Sequence, residues 1–387
     1  MQYAASCAFG LESVLARELR TLEMEEVRAE NGSVLFSGPP QAVCRANMWL
    51  RTADRVWVRL GRFKATTFEE LFEGVRGLPW SEVLTRDAAF PVEGSSHLSQ
   101  LSSVPACQAV AKKAVVEALR RTWPVERFVE NGPLFRIRVS LVRDEVTVSL
   151  DSSGAGLHRR GYRTLTAAAP LRETLAAGLV LLSYWQRDRV LVDPCCGSGT
   201  IPIEAAMIGL SRAPGLRRAF ASEGWPFIGS KMWAEVRRDA EDAFDRTTRL
   251  SITGYDLDPT VLGLARQHLR QAELLERGVH FRPQPVTEFR TTKKYGVLIT
   301  NPPYGERMGD LRDAERLYTE LGQVMAPLHT WSSYVLTSHP RFDHFFGQSL
   351  VRKRKLYNGM IVAWYYQFPG PRPPALSPRE DVEACPS

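Results

Sequence analysis

Two periods of apolar recurrence alternate along this chain, one near 3.6 residues and one of 2, and they divide it before any motif is considered. The opening "YAASC" reads as a strand, "LESVLARELRTL" as a helix, and "VRAE" and "VLF" as strands flanking the turn at Asn31-Gly32. Helical "QAVCRANMWLRTA" and alternating "RVWVRLGRF" follow. That order predicts a small α+β sandwich over 1–60. Residues 61–152 repeat the mixture with helical "FEELFEGV", extended "AAFPVEGSSH", the longer helix "ACQAVAKKAVVEALRRTW" and a hairpin, "LFRIRVSLVRDEVTVSL". The long helix sets Lys112, Lys113, Arg120 and Arg121 among apolar positions, as an amphipathic helix lying on a sheet does.

The pattern lapses in "DSSGAGLHRRGYRTLTAAA", rich in Gly, Ser and Ala, which predicts a connector over 153–168. From 169 to 369 short apolar strands are separated by helices: "LRETLAAGLVLLSYW", "RVLVDPCCGSGT", "SITGYDLD", "VHFRP" and "YGVLITNPPY". This order predicts an α/β domain with a mostly parallel, doubly wound sheet. The stretch from Asp193 to Asp256 exceeds what one helix needs, so residues 211–247, with "FASEGWPFIGSKMWAEV", read as an insertion. The end, 370–387, offers almost nothing to bury and is expected to be disordered.

Composition narrows the class. At 387 residues, 44% hydrophobic and 24% charged, the chain is long enough for two or three soluble domains. A net charge of +7 favours an anionic partner. The excess is spread along the chain, but two local clusters stand out, "HRRGYR" at 158–163 and "RKRK" at 352–355, either of which could be a solvated face. The six cysteines are not spaced as a zinc site or a Cys-x-x-Cys pair, so reduced thiols in a cytoplasm and no metal are expected. No signal peptide is apparent at the N-terminus, and the longest apolar run, "LAAGLVLLSYW", is too short to span a bilayer.

"VLVDPCCGSGTIPIEAA" passes from a strand through a glycine turn into a helix, where Gly197 and Gly199 let a ligand approach backbone amides. Pro202 stands where a dinucleotide fingerprint has its third glycine, which favours a smaller nucleoside ligand over a pyrophosphate. Asp256, ending the next strand, suits both hydroxyls of a ribose, whereas Asp258 before Pro259 competes for that role or caps a helix. Cys195 and Cys196 have no nearby His, so they read as small packing residues rather than nucleophiles. The fourth strand of this domain, "VLIT", breaks at Asn301-Pro302-Pro303-Tyr304, a stiff end that is either a turn or a rigid mount.

Together, the glycine loop, the acid and Asn-Pro-Pro-Tyr resemble a class I S-adenosylmethionine-dependent methyltransferase acting on an exocyclic amine. "GLHRRGYR", "APLRETLAAGLVLLSYW", "DPCCGSGTIPIEAA", "NPPYGERMG" and "LYNGMIVAWYY" closely resemble the THUMP-domain RNA guanine-N2 methyltransferases, the RlmL-like enzymes of large-subunit ribosomal RNA, over roughly 60–368. The resemblance implies a ferredoxin-like segment at 1–60, a THUMP domain at 61–152 and a Rossmann-like catalytic domain with a single activity. It implies cofactor contacts from Asp193, Cys195, Gly197, Ser198, Gly199, Thr200, Asp256 and Leu257; where many methyltransferases place an acid near the adenine this chain departs with "RPQPVTEF", so Gln284 or a backbone amide would serve there. Catalysis would fall to Asn301, Pro302, Pro303 and Tyr304, the tyrosine offering a stacking face worth roughly 1–3 kcal/mol. RNA contacts are expected from His158, Arg159, Arg160, Arg163, Lys112 and Lys113. Ribosomal RNA is the expected substrate, with transfer RNA, an adenine-N6 target on RNA or DNA, and a non-catalytic RNA-binding protein as alternatives.

Overall fold

The computed structural model describes residues 1–163, 171–304 and 311–374. The second half of the expected connector, "GERMG" at 305–309, and 375–387 of the expected tail lie outside the described residues.

Two seven-stranded sheets carry the molecule. The first is built from β1 (Gln2–Cys7), β2 (Glu25–Glu30), β3 (Ser33–Ser37), β4 (Ala53–Lys64), β5 (Val92–His97), β6 (Ile137–Val142) and β7 (Glu145–Asp151), in the order β2-β3-β1-β4-β7-β6-β5. Its helices are α1 (Glu12–Thr21), α2 (Gln41–Trp49), α3 (Phe68–Arg76), α4 (Trp80–Val83) and α5 (Val104–Thr122). Local chemistry fixes their ends: Thr67 and Glu70 cap α3 reciprocally, each side chain accepting the other's backbone N–H at 3.2 Å. β4 runs across the expected division at 60/61. It pairs with β1 from Ala53 to Arg59 and with β7 from Trp57 to Lys64, so one strand is shared by both α+β units.

The second sheet comprises β8 (Leu191–Asp193), β9 (Ile252–Asp256), β10 (Val279–Pro283), β11 (Val297–Thr300), β12 (Ser332–Thr337), β13 (Arg352–Asn358) and β14 (Ile361–Phe368), in the order β10-β9-β8-β11-β12-β14-β13. The five strands from β10 to β12 are parallel; β14 and β13 are antiparallel additions at one edge. α6 (Glu173–Ser183), α7 (Thr200–Gly209), α9 (Pro259–Gln271), α10 (Leu311–Met325) and α11 (Phe342–Phe346) accompany it, whereas α8 (Ser230–Asp242) lies against α2 of the first unit. Chain order reverses between β8 and β11, which lie side by side with Leu191 opposite Val297. Ligands of such sheets bind beyond the strand ends at this reversal.

The 211–247 segment packs back on the first sheet. Trp225 stacks on Phe135 with centroids 4.9 Å apart and donates its indole N–H to the Leu134 carbonyl at 2.9 Å. The expected connector begins buried rather than exposed, because its polar groups are satisfied: Asn47 Nδ2 donates to Ser152 Oγ at 2.9 Å and Ser153 Oγ to Asn47 Oδ1 at 2.6 Å. No helix among the described residues is long and apolar enough to cross a membrane.

Candidate active site

β8 ends in the glycine loop, and both glycines adopt positive φ, +52° at Gly197 and +81° at Gly199. Their reasons differ. A Cβ on Gly199 would meet Phe281 at 2.7 Å, a packing requirement, whereas one on Gly197 would have no heavy atom within 4 Å. The space beside Gly197 is a cavity of about 770 Å³, lined by Cys195, Asp256, Leu257 and Gln284 on one side and Asn301 to Tyr304 on the other. That size suits a nucleoside-sized ligand with room for a base.

Asp256 is held rigidly at the rim. Its Oδ2 accepts the Gly197 N–H at 2.9 Å and its Oδ1 the Asp258 N–H at 3.1 Å. Asp258 in turn accepts the Thr260 N–H at 2.8 Å, capping α9, so the capping reading holds for Asp258.

Asp193 faces inward, away from the cavity. It is fully buried, and its Oδ1 accepts Thr300 Oγ1 at 2.7 Å and the Cys195 N–H at 3.2 Å, tying the end of β8 to the end of β11. Burial pushes its carboxyl up to about 7, with the charge of Asp256 adding to the rise and the two hydrogen bonds opposing it. Thr200 is likewise used internally, accepting from Arg163, and Ser198 is buried. These residues support the loop; the cavity wall is made by their neighbours. Burial, with the charges of Asp193 and Asp256, pushes the Cys195 and Cys196 thiols far up, so both stay protonated.

Across the cavity, Tyr304 donates its hydroxyl to Asn301 Oδ1 at 2.5 Å. The second proline carbonyl is braced from outside the motif. Tyr318 of α10, wholly buried, donates to Pro303 O at 2.9 Å while lying 3.0 Å from Thr337 Oγ1. Sequence reasoning missed Tyr318, although its place on the apolar face of α10 marks it as inward. It also missed Arg172, Asp313, Arg316 and the hairpin residues Asn358, Gly359 and Ile361, which complete the cavity wall.

The expected RNA-facing cluster is largely turned inward. Arg160 is 3% exposed, donates to the carbonyls of Leu157 and Arg51, and has Nε 3.6 Å from Glu204 Oε1 of α7. Tyr162 donates to the same carboxylate at 3.0 Å. Arg163 pairs with the buried Glu173 at 3.2 Å, donates to Leu171 O and reaches Thr200 at the start of α7. Both arginines neutralise buried carboxylates, which corrects their expected role on RNA. His158 is half-buried, and burial together with the cations Arg172, Arg159, Arg160 and Arg218 lowers it to about 4, leaving it neutral at physiological pH. Arg159 alone of the four is exposed. Lys112 is engaged by Glu130 at 2.7 Å, by the Phe90 carbonyl and by the Phe90 ring, whereas Lys113 stays exposed, 4.0 Å from Glu117.

Comparison with known proteins gives three family matches: an RlmL ferredoxin-like domain at residues 2–57, a THUMP domain at 65–151 and an RMKL-like methyltransferase domain at 160–367. YpsC of Bacillus subtilis (strain 168), an RNA methyltransferase by name, is 44% identical over 366 residues, 94% of each chain. The ribosomal RNA large subunit methyltransferase K/L of Marinomonas sp. (strain MWYL1) is 35% identical over 94% of this chain and 52% of its own. The chain thus spans about half the length of the K/L relatives it matches. Among solved structures, SMU.472, a methyltransferase by name complexed with S-adenosylhomocysteine, superposes with TM-score 0.91 at 42% identity over 96% of this chain and 99% of its own. A Listeria monocytogenes chain named as a predicted N6-adenine-specific DNA methylase superposes with TM-score 0.91 at 46% identity, over 96% of each chain.

Proposed function

This chain belongs to the RlmL-like THUMP-domain methyltransferases, and from that premise we propose that it methylates the exocyclic N2 amine of a guanine in large-subunit ribosomal RNA. It is an S-adenosylmethionine-dependent RNA methyltransferase. The residues present fit that cofactor. The open space beside Gly197 admits a ligand against backbone, and the fixed carboxylate of Asp256 accepts from ribose hydroxyls. Leu257 and Gln284 line the same wall, where the adenine would lie. When bound, S-adenosylmethionine supplies a methyl group on a positively charged sulfur.

The observation that carries the reading is the juxtaposition, in one cavity, of the open glycine loop and Asn301 to Tyr304. An aryl amine is a weak nucleophile because its lone pair is delocalised into the ring, so aiming it matters most. An amide oxygen has two lone pairs, and Tyr304 occupies one on Asn301 Oδ1. The other accepts an N–H of the amine, as does the Pro302 carbonyl, and both oppose the positive charge that grows on nitrogen. The proton then leaves to water, since the methylated ammonium is acidic. Pro302 and Pro303 keep both acceptors from drifting, with Tyr318 holding the turn behind them through the Pro303 carbonyl.

Ribosomal RNA is favoured by the names of the K/L relatives, and the guanine-N2 target by resemblance to their RlmL part. The test is Asn301→Ala, assayed by transfer of labelled methyl to deproteinised ribosomal RNA from cells lacking the enzyme. Turnover falls about 10²–10³-fold, the usual consequence of removing one preorganised transition-state group, with S-adenosylmethionine affinity kept. Parallel loss of turnover and cofactor affinity would make Asn301 a folding residue and overturn the mechanism.

A further inference from the structure

We infer that the β13–β14 hairpin grips the RNA beside the target nucleotide, with cations on its edge strand holding phosphates and Met360 at its tip wedging into the stack that the base leaves. The inference rests on the reading of the chain as an RNA methyltransferase.

β13 is the outermost strand of its sheet, and Arg352, Lys353, Arg354 and Lys355 follow one another on it. From Arg352 to Phe368 there is no Asp or Glu, and among the described residues none of the four cations sits in an ion pair. Strand alternation divides them. Arg354 turns toward the first sheet's unit, donating to Gly10 O at 2.9 Å and Ser13 Oγ at 3.2 Å, and so fixes the hairpin against it. Lys353 and Lys355 project on the opposite face, paired across the strands with Tyr366 and Trp364. Lys353 Nζ lies 5.0 Å from the Trp364 ring centroid, and Lys355 Nζ 5.4 Å from that of Tyr357. Tyr357 in turn meets the exposed ring of Phe9 at 5.9 Å. Cations interleaved with aromatic faces are what a nucleic-acid strand needs, phosphates on the one and bases on the other.

Lysines on an edge strand also discourage edge-to-edge pairing, and that alone would account for them. It does not account for the tip. Asn358 and Ile361 close a two-residue turn in which Gly359 takes φ +65°, leaving Met360 98% exposed, the most exposed large apolar side chain among the described residues. Polar residues suit that position of a turn as well. On either side of Met360, however, Asn358, Gly359 and Ile361 line the cavity that also holds Gly197 and Asn301. An unbranched apolar side chain thus stands at the mouth of a site whose target amine is out of reach inside a duplex. Proteins that unstack nucleic acid insert Met, Leu, Ile or Phe between bases, and enzymes acting on a base must extrude it.

The experiment uses the full chain and a synthetic RNA stem-loop copied from the methylated site once that site is mapped. One version pairs the target guanine; the other sets it opposite an abasic position, where extrusion is already cheap. For Met360→Ala the ratio of turnover on the paired to the abasic RNA falls about tenfold relative to wild type. For the Lys353→Ala/Lys355→Ala variant, affinity for both RNAs falls, and the slope of log affinity against log salt becomes shallower by about 1.8, two phosphate contacts on a double-stranded stem. Equal effects of Met360→Ala on both RNAs, or none on either, would overturn the wedge; an unchanged salt slope would overturn the phosphate grip. Wild-type protein inert on every RNA would instead refute the RNA-methyltransferase reading, and is seen before either variant is made.

Discussion

Arg163 separates two accounts of the "HRRGYR" run most sharply. In the structure its guanidinium neutralises Glu173, hydrogen bonds to Leu171 O and Thr200, and is almost wholly shielded from water. Arg163→Ala strands a buried carboxylate, and removing one partner of such a pair destabilises by about 3–5 kcal/mol. The loss has a pH signature. Burial already raises the Glu173 carboxyl, and Arg163 is the main charge opposing that rise, so its removal raises Glu173 further. A raised folded-state pKa means stability is retained at low pH and lost as pH rises, so the variant's deficit is larger at pH 8 than at pH 5. Urea unfolding of wild type, Arg163→Ala and the Arg163→Ala/Glu173→Gln double variant across that range measures it. The neutral glutamine returns part of the lost stability. Were Arg163 an RNA contact, its removal would change stability by no more than about 0.5 kcal/mol and make RNA binding less salt-dependent; that pair of results would refute the burial argument.

Asp193 carries a related prediction. With a folded-state carboxyl near 7 against an ordinary 3.8, its contribution is complete below about pH 4 and is lost as pH rises through 7. Asp193→Asn keeps an acceptor for Thr300 and Cys195, and in urea melts from pH 5 to 8 its stability falls less steeply with pH than that of wild type; parallel curves would contradict the shift. Tyr318→Phe removes the donor to Pro303 O, leaving a partly buried acceptor unpaired at about 1–3 kcal/mol. Its kcat falls while S-adenosylmethionine affinity, measured by calorimetry, stays near wild type; an unchanged kcat would mean the prolines hold the turn unaided.

The two strand ends that meet in the cavity were legible because each is announced locally, by glycines in one case and by consecutive prolines in the other. Their adjacency followed from strand–helix alternation, which orders a parallel sheet. The fate of individual side chains was not legible in the same way. β8 is buried on both faces, so no periodicity says which way Asp193 points. Charge runs are equally silent: Arg160 and Arg163 are inward because Glu204 on α7 and Glu173 on α6 lie there, partners that the run itself does not announce. Lys353 and Lys355 of β13 stay exposed for the converse reason, since an edge strand opposite Trp364 and Tyr366 offers them no carboxylate. The hairpin's approach to the cavity depends on a non-sequential strand order at the sheet edge, which local pattern does not encode.

The most direct test of the central claim is the chemical identity of the product. Ribosomal RNA from cells lacking the enzyme is incubated with purified protein and isotopically labelled S-adenosylmethionine, digested to nucleosides and resolved by mass spectrometry. The account predicts label in N2-methylguanosine; label in N6-methyladenosine, or in duplex DNA alone, would contradict it.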